Sequence, residues 1–433
     1  MSAPLIGVIG IVALLILIAL RIPVAIAMGV VGVVGGIVLN GWFSIGFVLG
    51  SQPFVTTSSY SLSVIPLFVM MGAFASRAGL STALYQSLQA LIGHWRGGLA
   101  SATIGACALF GAVCGSSLAT AATMARVAVP EMTAIGYDRR LTTGALAAGG
   151  TLGILIPPSI IMVIYALLTE QSIGRMFLAG LMPGILAALL YIVVVCAIAR
   201  LKPSWAPAAK LNAKMAKSAA VRSMTPILAL FTIVMGGIYV GVFSPTEAAG
   251  VGAFGAIVLA AMRRRLSWSV TKEALLETAT TTGMLFMILI GTSVLQFFIE
   301  TSTLPRVIVD WIGALGLPPI GVIILILIIY IILGCFLDSL SMMLITLPIV
   351  FPVVMNLGYD PIWFGVLVVS VVEIGLITPP LGMNLFVIKA SVENLRFETV
   401  AVGAMPFIAA DMVRLVLLVA FPSLSLALPE MLM

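Results

Sequence analysis

Charged residues are scarce in this 433-residue sequence, because Lys, Arg, Asp and Glu together make up only 8% of it. Soluble domains carry roughly a quarter charged residues, so this composition excludes that class. Apolar runs fill the chain instead, with 62% hydrophobic residues and a mean hydropathy of +1.25. Since a membrane-spanning helix needs about 20 apolar residues, we predict an all-α polytopic membrane protein with on the order of ten to twelve spans and no soluble domain.

Histidine and cysteine are also rare. His94 is the one histidine, which excludes paired-histidine heme ligation, histidine metal clusters and Ser-His-Asp catalysis. The four cysteines lie in apolar runs without CxxC spacing, which argues against a disulfide framework or a zinc site. We expect them to be packing residues.

The apolar runs predict where the chain crosses the membrane. Residues 4–23 are too long for a signal peptide, no small-residue cleavage site follows, and Arg21 comes after the run, so we predict a first span there. Further spans are predicted near 24–40, 62–76, 175–199, 224–243, 246–262, 283–299, 319–335 and 398–421.

One polar segment orients the spans. Residues 200–222 hold six Lys or Arg and no acid, so the positive-inside rule places this basic linker in the cytoplasm. The arginines at 263–265 return the chain to the same side, and the tail after Arg414 contains no Lys or Arg. We therefore expect both termini on the outer side.

A repeat divides the chain into two halves. Gly153, Pro157 and Pro158 recur 222 residues later as Gly375, Pro379 and Pro380, and the "GYD" of 136–138 recurs at 358–360. An odd number of crossings in each half would insert the second half upside down, as in the inverted repeats of secondary transporters. We predict repeats over 1–199 and 223–433, each with a broken transmembrane helix, near 141–168 and 362–388.

A re-entrant hairpin is predicted before each broken helix. Residues 100–131 form a 32-residue apolar segment between charged flanks, too long for one crossing and too short for two. We place a hairpin at about 99–131 with its tip at residues 114–117. The repeat places the second hairpin at about 319–357, where Asp338 is equivalent to Ser116. Non-helical backbone at membrane depth is tolerated where it is buried in protein or lines a cavity.

The interrupted helices suggest ion and substrate sites. Each break frees main-chain carbonyls, which suit a cation, and amides, which suit an anion. A first oxygen cage for sodium is predicted from the carbonyls of Gly115, Thr151, Gly153 and Ile156 with the hydroxyls of Ser116 or Ser117. A second is predicted from the carbonyls of Leu337, Gly375 and Ile377 with Ser339, Thr378 and possible help from Asp338. A carboxylate substrate would bind between the cages, facing helix N-termini and hydroxyls.

Three charged or amide side chains inside apolar segments have two interpretations each. Glu373 either takes part in the ion or substrate site or makes buried structural hydrogen bonds. Arg126 holds a substrate carboxylate or pairs with Glu131. Asn384 binds substrate or packs, and Asp411 pairs with Arg414 at i,i+3. The complete set of predicted substrate contacts is Ser117, Thr120, Arg126, Pro158, Ser159, Pro380 and Asn384.

Several motifs resemble the large membrane subunit of TRAP transporters, the tripartite ATP-independent periplasmic carriers. They are "GAVCGSSLATAATMARVAVPEM" at 111–132, "GTLGILIPPSIIMVIYALLTEQSIGRMFLAG" at 150–180 and "GLITPPLGMNLFVIKA" at 375–390. The resemblance covers essentially the whole chain. It implies a bacterial inner-membrane transporter that imports organic acids with a sodium gradient, by an elevator movement of a domain holding both hairpins.

The resemblance also implies ligands and partners. Carried over by motif, the sodium ligands fall on Ser116, Ser117 and the break from Thr151 to Pro157, and on the tip from Asp338 to Ser341 with the break from Glu373 to Pro379. Sodium is the only metal expected, and no organic cofactor is expected. A separate small membrane subunit of about four helices is implied, bracing amphipathic stretches at 81–95 and 268–280. A periplasmic binding protein would deliver the organic acid. Membrane lipid is expected as a further partner, and nucleic acid is not.

Three other functions fit parts of the pattern. A stand-alone ion-coupled carboxylate carrier shares every feature derived from the residues and needs no binding protein. A membrane-embedded hydrolase would use Asp338 and Glu373 as a carboxylate pair, but this pair explains neither the duplicated breaks nor the serine-rich tip. Two closed hairpins suit alternating access better than the continuous pore of a channel. We therefore expect a transporter rather than an enzyme, with C4-dicarboxylates, sialic acid, 2-oxo acids and sugar acids all compatible as substrates.

Overall fold

The computed structural model describes residues 2–207, 217–314, 316–393 and 395–432, and within these ranges the regular structure is helical. The middle of the predicted basic linker, residues 208–216, lies outside the described residues. The two ends of that linker are helical, because the preceding helix continues to Leu201 and the next begins at Lys217.

Nine α-helices form the first half of the chain. They are α1 (Ala3–Ala19), α2 (Val24–Ser58), α3 (Val64–Arg77), α4 (Leu80–Ile92), α5 (Gly98–Cys114), α6 (Ser117–Ala134), α7 (Arg139–Leu155), α8 (Ile160–Leu168) and α9 (Ile173–Leu201). A 3-10 turn, Tyr60–Ser63, leads into α3. The predicted span 24–40 ends at a kink in α2, where Gly41 adopts a left-handed φ of 77°.

The second half contributes ten α-helices among the described residues. They are α10 (Lys217–Tyr239), α11 (Pro245–Met262), α12 (Trp268–Thr301), α13 (Leu304–Ala314), α14 (Pro319–Gly334), α15 (Ser339–Asn356), α16 (Pro361–Ile377), α17 (Met383–Ser391), α18 (Phe397–Ala420) and α19 (Ser423–Leu432).

Fewer helices than predicted are long enough to cross a membrane. In the described ranges eight helices have the length and hydropathy of a span, or nine if α7 and α8, bent by 40° at their break, count as one. The all-α, multi-span class is confirmed, but not ten to twelve full spans. The reason is that five further apolar helices, α1, α5, α14, α16 and α19, have only 10–17 residues.

The helix boundaries repeat with the spacing of the sequence motifs. Both ends of α6 and α15 are 222 residues apart, and so are both ends of α7 and α16. The chain turns at the predicted tips, between α5 and α6 and between α14 and α15. It breaks after α7 and after α16, where the Pro157–Pro158 and Pro379–Pro380 bonds are both cis.

The helices pack into two groups. A scaffold bundle consists of α1–α3 and α10–α12, in which α12 packs along α2 and α3 while α11 packs on α3. A core bundle consists of α5–α9 and α14–α19, in which α7 packs on α5, α6 and α18 while α16 packs on α14 and α18. Two short helices join the groups, because α4 contacts both α10 and α5 and α13 contacts both α1 and α15.

The two predicted amphipathic stretches differ in how they are built. Residues 81–95 contain α4, but residues 268–280 are the first turns of the uninterrupted helix α12. The helix beside the second hairpin is α13, which begins about 222 residues after α4. Most Ser, Thr and Glu side chains of 268–280 are exposed on the surface of this long helix, which gives the stretch its amphipathic pattern.

Candidate functional site: two hairpin tips and two helix breaks

The first hairpin tip contacts the first helix break. Gly115 adopts a left-handed φ of 66°, and a Cβ there would lie 3.1 Å from the carbonyl oxygen of Pro158, so glycine suits this turn on both counts. Ser116 begins α6 as an N-cap, and its Oγ accepts a hydrogen bond from the amide of Ala119 at 3.4 Å. Ser159 caps α8 in the same way, accepting from the amide of Met162. Two helix N-termini therefore begin at adjacent points.

Glycines let the hairpin arm approach the broken helix backbone to backbone. A Cβ on Gly111 would lie 2.5 Å from the Cα of Gly153. A Cβ on Gly153 would in turn lie 3.1 Å from the Thr120 hydroxyl and 3.3 Å from the carbonyl oxygen of Ser116. The Thr120 hydroxyl is fully buried and has no hydrogen-bond partner among the described residues. Oxygens from the tip and the first turn of α6 thus converge on the end of α7.

The second half repeats this contact with different side chains. A Cβ on Gly375 would lie 2.7 Å from the Cα of Gly334 and 2.8 Å from its carbonyl oxygen. Asp338 is the N-cap of α15, accepting from the Ser341 amide at 3.1 Å and also from the Ser341 hydroxyl. The Thr378 hydroxyl donates to the carbonyl of Ile374 at 2.6 Å. The amide and the hydroxyl of Ser341, in the first turn of α15, thus hold the carboxylate of Asp338 at the tip.

The two tip-and-break regions differ in exposure. Residues 151–159 are all buried, and Ser117 is 3% exposed. In the second region Asp338 and Ser339 are half-buried, and Pro380 is exposed. The first region is thus enclosed in protein, whereas the second opens on one side.

A hydrogen-bonded pair joins the first tip to the helix after the second break. The Asn384 amide donates to Ser117 Oγ at 2.7 Å and to the carbonyl oxygen of Ala147 at 3.2 Å. Ser117 Oγ also lies 3.0 Å from Asn384 Oδ1. Asn384 is fully buried, so three helices, α6, α7 and α17, meet at its side chain. Asn384 was predicted either to bind substrate or to pack. In the structure it lies beside Ser117, which is itself a predicted substrate contact.

A buried polar group lies between the two broken helices; we call it the central cluster. It consists of Thr151 on α7, Tyr191 on α9, Glu373 on α16, and Asp411 and Arg414 on α18. One nitrogen of Arg414, Nη2, lies 2.8 Å from Oε2 of Glu373 and 3.2 Å from Oδ1 of Asp411. Tyr191 donates to Oδ2 of Asp411 at 2.6 Å, and Thr151 lies 2.6 Å from Oε1 of Glu373. All five residues are fully buried.

The central cluster bears on two of the predictions made from the sequence. The Asp411–Arg414 pair is confirmed, and Glu373 has the buried structural contacts that were one of its two interpretations. The hydroxyl of Thr151 and the carboxylate of Glu373 are engaged with each other, so an ion near this break would be held by other oxygens. Sequence reasoning missed Tyr191. The "MP" of 182–183 recurs 223 residues later, and Tyr191 lies the same distance before Arg414. This shared offset was the signal in the sequence that could have paired Tyr191 with Arg414.

Arg126 lies apart from the cluster. Its side chain is exposed on α6, and no ion pair or hydrogen bond of this side chain occurs within the part of the chain that the structure describes. The same part contains no group of three or more His, Cys, Asp or Glu placed to hold a metal ion. A cation bound near the tips would therefore be held mainly by carbonyl and hydroxyl oxygens.

The sequence matches a known family over nearly its whole length. Residues 11–424 match the profile described as "Tripartite ATP-independent periplasmic transporter, DctM component". The C4-dicarboxylate TRAP transporter large permease protein DctM of Pseudomonas aeruginosa is 40% identical over 384 residues, which cover 88% of this chain and 89% of that protein. The isethionate TRAP transporter permease protein DctMQ of Oleidesulfovibrio alaskensis is 31% identical over 404 residues, covering 93% of this chain but 63% of that protein.

The fold is also similar to a solved transporter. The crystal structure of the Alcanivorax borkumensis YdaH transporter aligns with a TM-score of 0.66 over 90% of both chains, at 17% identity. At this identity the likeness concerns the fold alone. The match to a transporter family excludes the hydrolase alternative. The chain therefore belongs to the family of DctM components, the large membrane permeases of tripartite ATP-independent periplasmic transporters.

Proposed function

We propose that this chain uses a sodium gradient to import an organic acid that a periplasmic binding protein delivers. The observation that carries the proposal is the contact of each hairpin tip with a helix break in its own half, with Ser117 and Asn384 joining the two regions at the centre. Such an arrangement suits ions in the two tip-and-break regions and one anionic solute between them.

Sodium is the proposed coupling ion at the first region, and Thr120, which was predicted from the sequence as a substrate contact, is proposed here as one of its ligands. The buried Thr120 hydroxyl has no partner in the described chain, and it lies beside the Ser116 carbonyl and the end of α7. Leaving a buried hydroxyl unpaired costs about 1–3 kcal/mol, and an ion bound there would remove that cost. Hard cations prefer such oxygen ligands. The carbonyls of Gly115, Thr151, Gly153 and Ile156 complete the proposed set, with Pro157 ending the break.

The second region would hold sodium less tightly in this conformation. Its proposed oxygens come from Leu337, Ser339, Gly375, Ile377 and Thr378, with Asp338 and Ser341 closing the tip. This region is partly exposed, and Ser341 already occupies the carboxylate of Asp338. Solvent competition at exposed ligands lowers ion affinity.

The solute is proposed to bind at Ser117 and Asn384. Their hydroxyl and amide lie beside the N-termini of α6 and α17, where main-chain amides favour an anion. The exposed guanidinium of Arg126, three turns or so along α6, could then guide or hold a carboxylate. An organic acid is the class this chemistry fits, and two relatives are named for C4-dicarboxylates and for isethionate, which are organic anions.

An elevator movement of the core bundle against the scaffold bundle is proposed for transport. The interface contains few polar contacts among the described residues, one being the 3.5 Å contact between Ser76 of α3 and Thr123 of α6. A cavity of ≈ 440 Å³ is lined by residues of α12, α13 and α15, among them Glu300 and Phe351, and by Leu168 at the end of α8. The scaffold contacts the first tip tightly, because a Cβ on Gly72 would lie 2.7 Å from the carbonyl oxygen of Cys114.

Two partners and an orientation complete the proposal. The relative DctMQ is a longer protein of which this chain covers 63%, and a small membrane subunit is proposed as a partner of this chain. The basic linker lies in the cytoplasm and both termini face the periplasm, in the bacterial inner membrane.

Uptake by reconstituted proteoliposomes tests the tripartite part of the proposal. Vesicles would contain this chain with its candidate small subunit, and the candidate binding protein would be added outside with a labelled organic acid panel. We expect uptake to require all three proteins, and omission of any one to reduce it to the level of empty vesicles. Uptake by this chain alone would instead establish the stand-alone carrier.

A further inference from the structure

Two cations lie over the same indole ring at one end of the core bundle. The ammonium of Lys202 is 4.3 Å from the ring centre of Trp205, and the guanidinium carbon of Arg140 is 5.4 Å from it. Both distances are those of a cation–π interaction. The two like charges are therefore no more than about 10 Å apart, which is one screening length at 0.1 M salt.

Neither of these cations has an acidic partner in the described part of the chain. The side chains of Arg140 and Lys202 are exposed and form no ion pair or hydrogen bond there. The carboxylate of Asp138 accepts from the main-chain amide of Arg140 at 2.7 Å and thereby caps α7. Glu398 begins α18, which packs on α7, but it too forms no ion pair among the described residues. An anion from outside the protein would supply the missing partner.

Main-chain hydrogen bonds fix the position of the ring. The amide of Trp205 donates to the carbonyl of Lys202 at 2.9 Å, and the carbonyl of Trp205 accepts from the amide of Asp138 at 3.1 Å. Trp205 is half-buried, and Ala206 after it is buried. These contacts tie the start of the basic linker to the turn between α6 and α7. The cation that follows α9 and the cation that begins α7 therefore meet over a ring that is already in place.

The length of α9 places these cations at the membrane surface. Arg175 lies in the first turn of α9 and Arg200 in the last, and residues 176–199 between them contain no charged side chain. At 1.5 Å per residue this stretch is about 36 Å long, somewhat more than the hydrocarbon thickness of about 30 Å. Lys202 and Trp205 follow Arg200 and therefore lie at the level of the lipid headgroups, where tryptophan is enriched.

The surroundings of the ring suit both parts of a phospholipid. Leu189, Val193 and Arg200 are exposed and lie on one face of α9, because they are spaced by four and seven residues. Acyl chains can pack along the first two while a headgroup reaches the third. Arg96 is exposed beside the last turn of α9, since a Cβ on the next residue, Gly97, would lie 3.1 Å from Cβ of Ala199. Four cations thus border one apolar face.

We propose that Arg140, Lys202 and Trp205 form a binding site for the phosphate group of an anionic phospholipid, with Arg96 and Arg200 at its edge. The guanidinium can donate two parallel hydrogen bonds to the phosphate, and the ammonium adds a point charge. A lipid phosphate fits better than a soluble one, because the cations lie at headgroup level beside an exposed apolar helix face. The site does not depend on the transported solute, on sodium or on an elevator movement.

Native mass spectrometry of the full chain in detergent tests the site. The protein would be titrated with phosphatidylglycerol or with phosphatidylcholine of the same acyl chains, and the wild type should prefer phosphatidylglycerol. Arg140→Gln with Lys202→Gln should reduce this preference by about fivefold or more, because each cation near a headgroup contributes a comparable factor. Both side chains are exposed, so the melting temperature without lipid should equal that of the wild type.

Arg264→Gln with Lys272→Gln is the matched control. It removes the same charge from exposed positions after α11 and in α12, where no aromatic contact of either side chain occurs within the described ranges. This variant should keep the wild-type preference. A wild type without any preference, or equal losses in the two double variants, would show that no local site exists and would overturn the proposal.

Two further measurements separate the ring from the charges and the lipid from free phosphate. Trp205→Phe keeps an aromatic face and should keep the preference, whereas Trp205→Leu should weaken it about threefold. Phosphatidylglycerol should raise the melting temperature of the wild type but not that of the Arg140 and Lys202 double variant, since a ligand of the folded state stabilises it. Equal stabilisation by inorganic phosphate at the same concentration, or displacement of the lipid by it, would overturn the assignment to a phospholipid.

Discussion

Ser117 and Asn384 lie 267 positions apart in the chain, yet the amide of Asn384 donates a hydrogen bond to the hydroxyl of Ser117 at 2.7 Å. The first residue begins the helix after the first hairpin tip, and the second lies just beyond the second helix break. The two halves of the protein are thus joined by polar side chains at the point where an anionic solute is proposed to bind.

The Ser117–Asn384 pair should behave as one unit in transport. Ser117→Ala leaves the buried amide of Asn384 with fewer partners, at a cost of about 1–3 kcal/mol, so we expect uptake at low substrate concentration to fall about tenfold or more. Asn384→Leu should cause a similar loss. Because each side chain acts through the other, the double variant should lose much less than the product of the single effects, as measured by kcat/KM for uptake.

Ser87→Ala is the matched control for this pair. Ser87 is also fully buried, but it lies on α4, and its hydroxyl has no hydrogen-bond partner within the described ranges. Its removal should leave uptake unchanged. Fully additive losses in the Ser117 and Asn384 variants would show that the two residues act separately.

The glycine contact between the first hairpin and the first broken helix should be sensitive to a single methyl group. Gly111→Ala would place Cβ 2.5 Å from the Cα of Gly153, and relieving this overlap by a backbone shift should cost about 1–3 kcal/mol of stability. We expect a lower melting temperature and weaker uptake.

Gly283→Ala should raise the melting temperature, which is the opposite of the effect expected for Gly111→Ala. Gly283 lies in α12 with nothing within 4 Å of its added Cβ, and alanine is up to about 1 kcal/mol better than glycine inside a helix. Equal melting temperatures for the two variants would mean that the backbone approach at Gly111 is not a tight contact.

Thr120→Val tests the proposed first sodium site. Valine keeps the shape of threonine and removes the hydroxyl that has no protein partner in the described chain. Without sodium the variant should be as stable as the wild type or slightly more stable, because no hydrogen bond is lost. The sodium concentration that gives half-maximal uptake should rise about tenfold, since one hard oxygen ligand is gone.

Thr292→Val on the scaffold helix α12 is the comparison for Thr120→Val, because the Thr292 hydroxyl donates to the carbonyl of Ile288 in its own helix. Its sodium dependence should equal that of the wild type. An unchanged sodium dependence in Thr120→Val would place the ion elsewhere.

A disulfide between the two bundles should stop an elevator movement. Ser76 of α3 and Thr123 of α6 have hydroxyl oxygens 3.5 Å apart, so cysteines at both positions are placed to react on oxidation. The four native cysteines would be replaced beforehand. We expect oxidation to abolish uptake in the double-cysteine variant, and a reductant to restore it.

Each single-cysteine variant should transport equally well with and without oxidant. If the cross-linked protein transported at the normal rate, the core bundle would not need to move against the scaffold bundle at this contact.

Local sequence signals were sufficient for the tips and breaks. Glycine, proline and serine impose turns within a few residues of themselves, so the tip at 114–117 and the break near Pro157 could be located from the sequence alone. Residues 268–280 were predicted only as an amphipathic stretch, and in the structure they form the first turns of the long helix α12.

The partners of buried polar residues were less accessible to sequence reasoning. The i,i+3 spacing of Asp411 and Arg414 revealed their pairing, because both lie in one helix. The contact of Glu373 with Thr151 and Arg414 depends on how three helices pack. A sequence shows that a buried charge needs a partner, but only the fold selects which one.

Ion dependence of uptake by the complete reconstituted system tests the central claim most directly. Vesicles holding this chain and its small subunit would receive the loaded binding protein under an inward sodium gradient, an equal potassium gradient or an inward proton gradient. The account predicts concentrative uptake with the sodium gradient and background uptake with the other two. Equal uptake under the potassium gradient, or uptake driven by the proton gradient without sodium, would contradict sodium coupling.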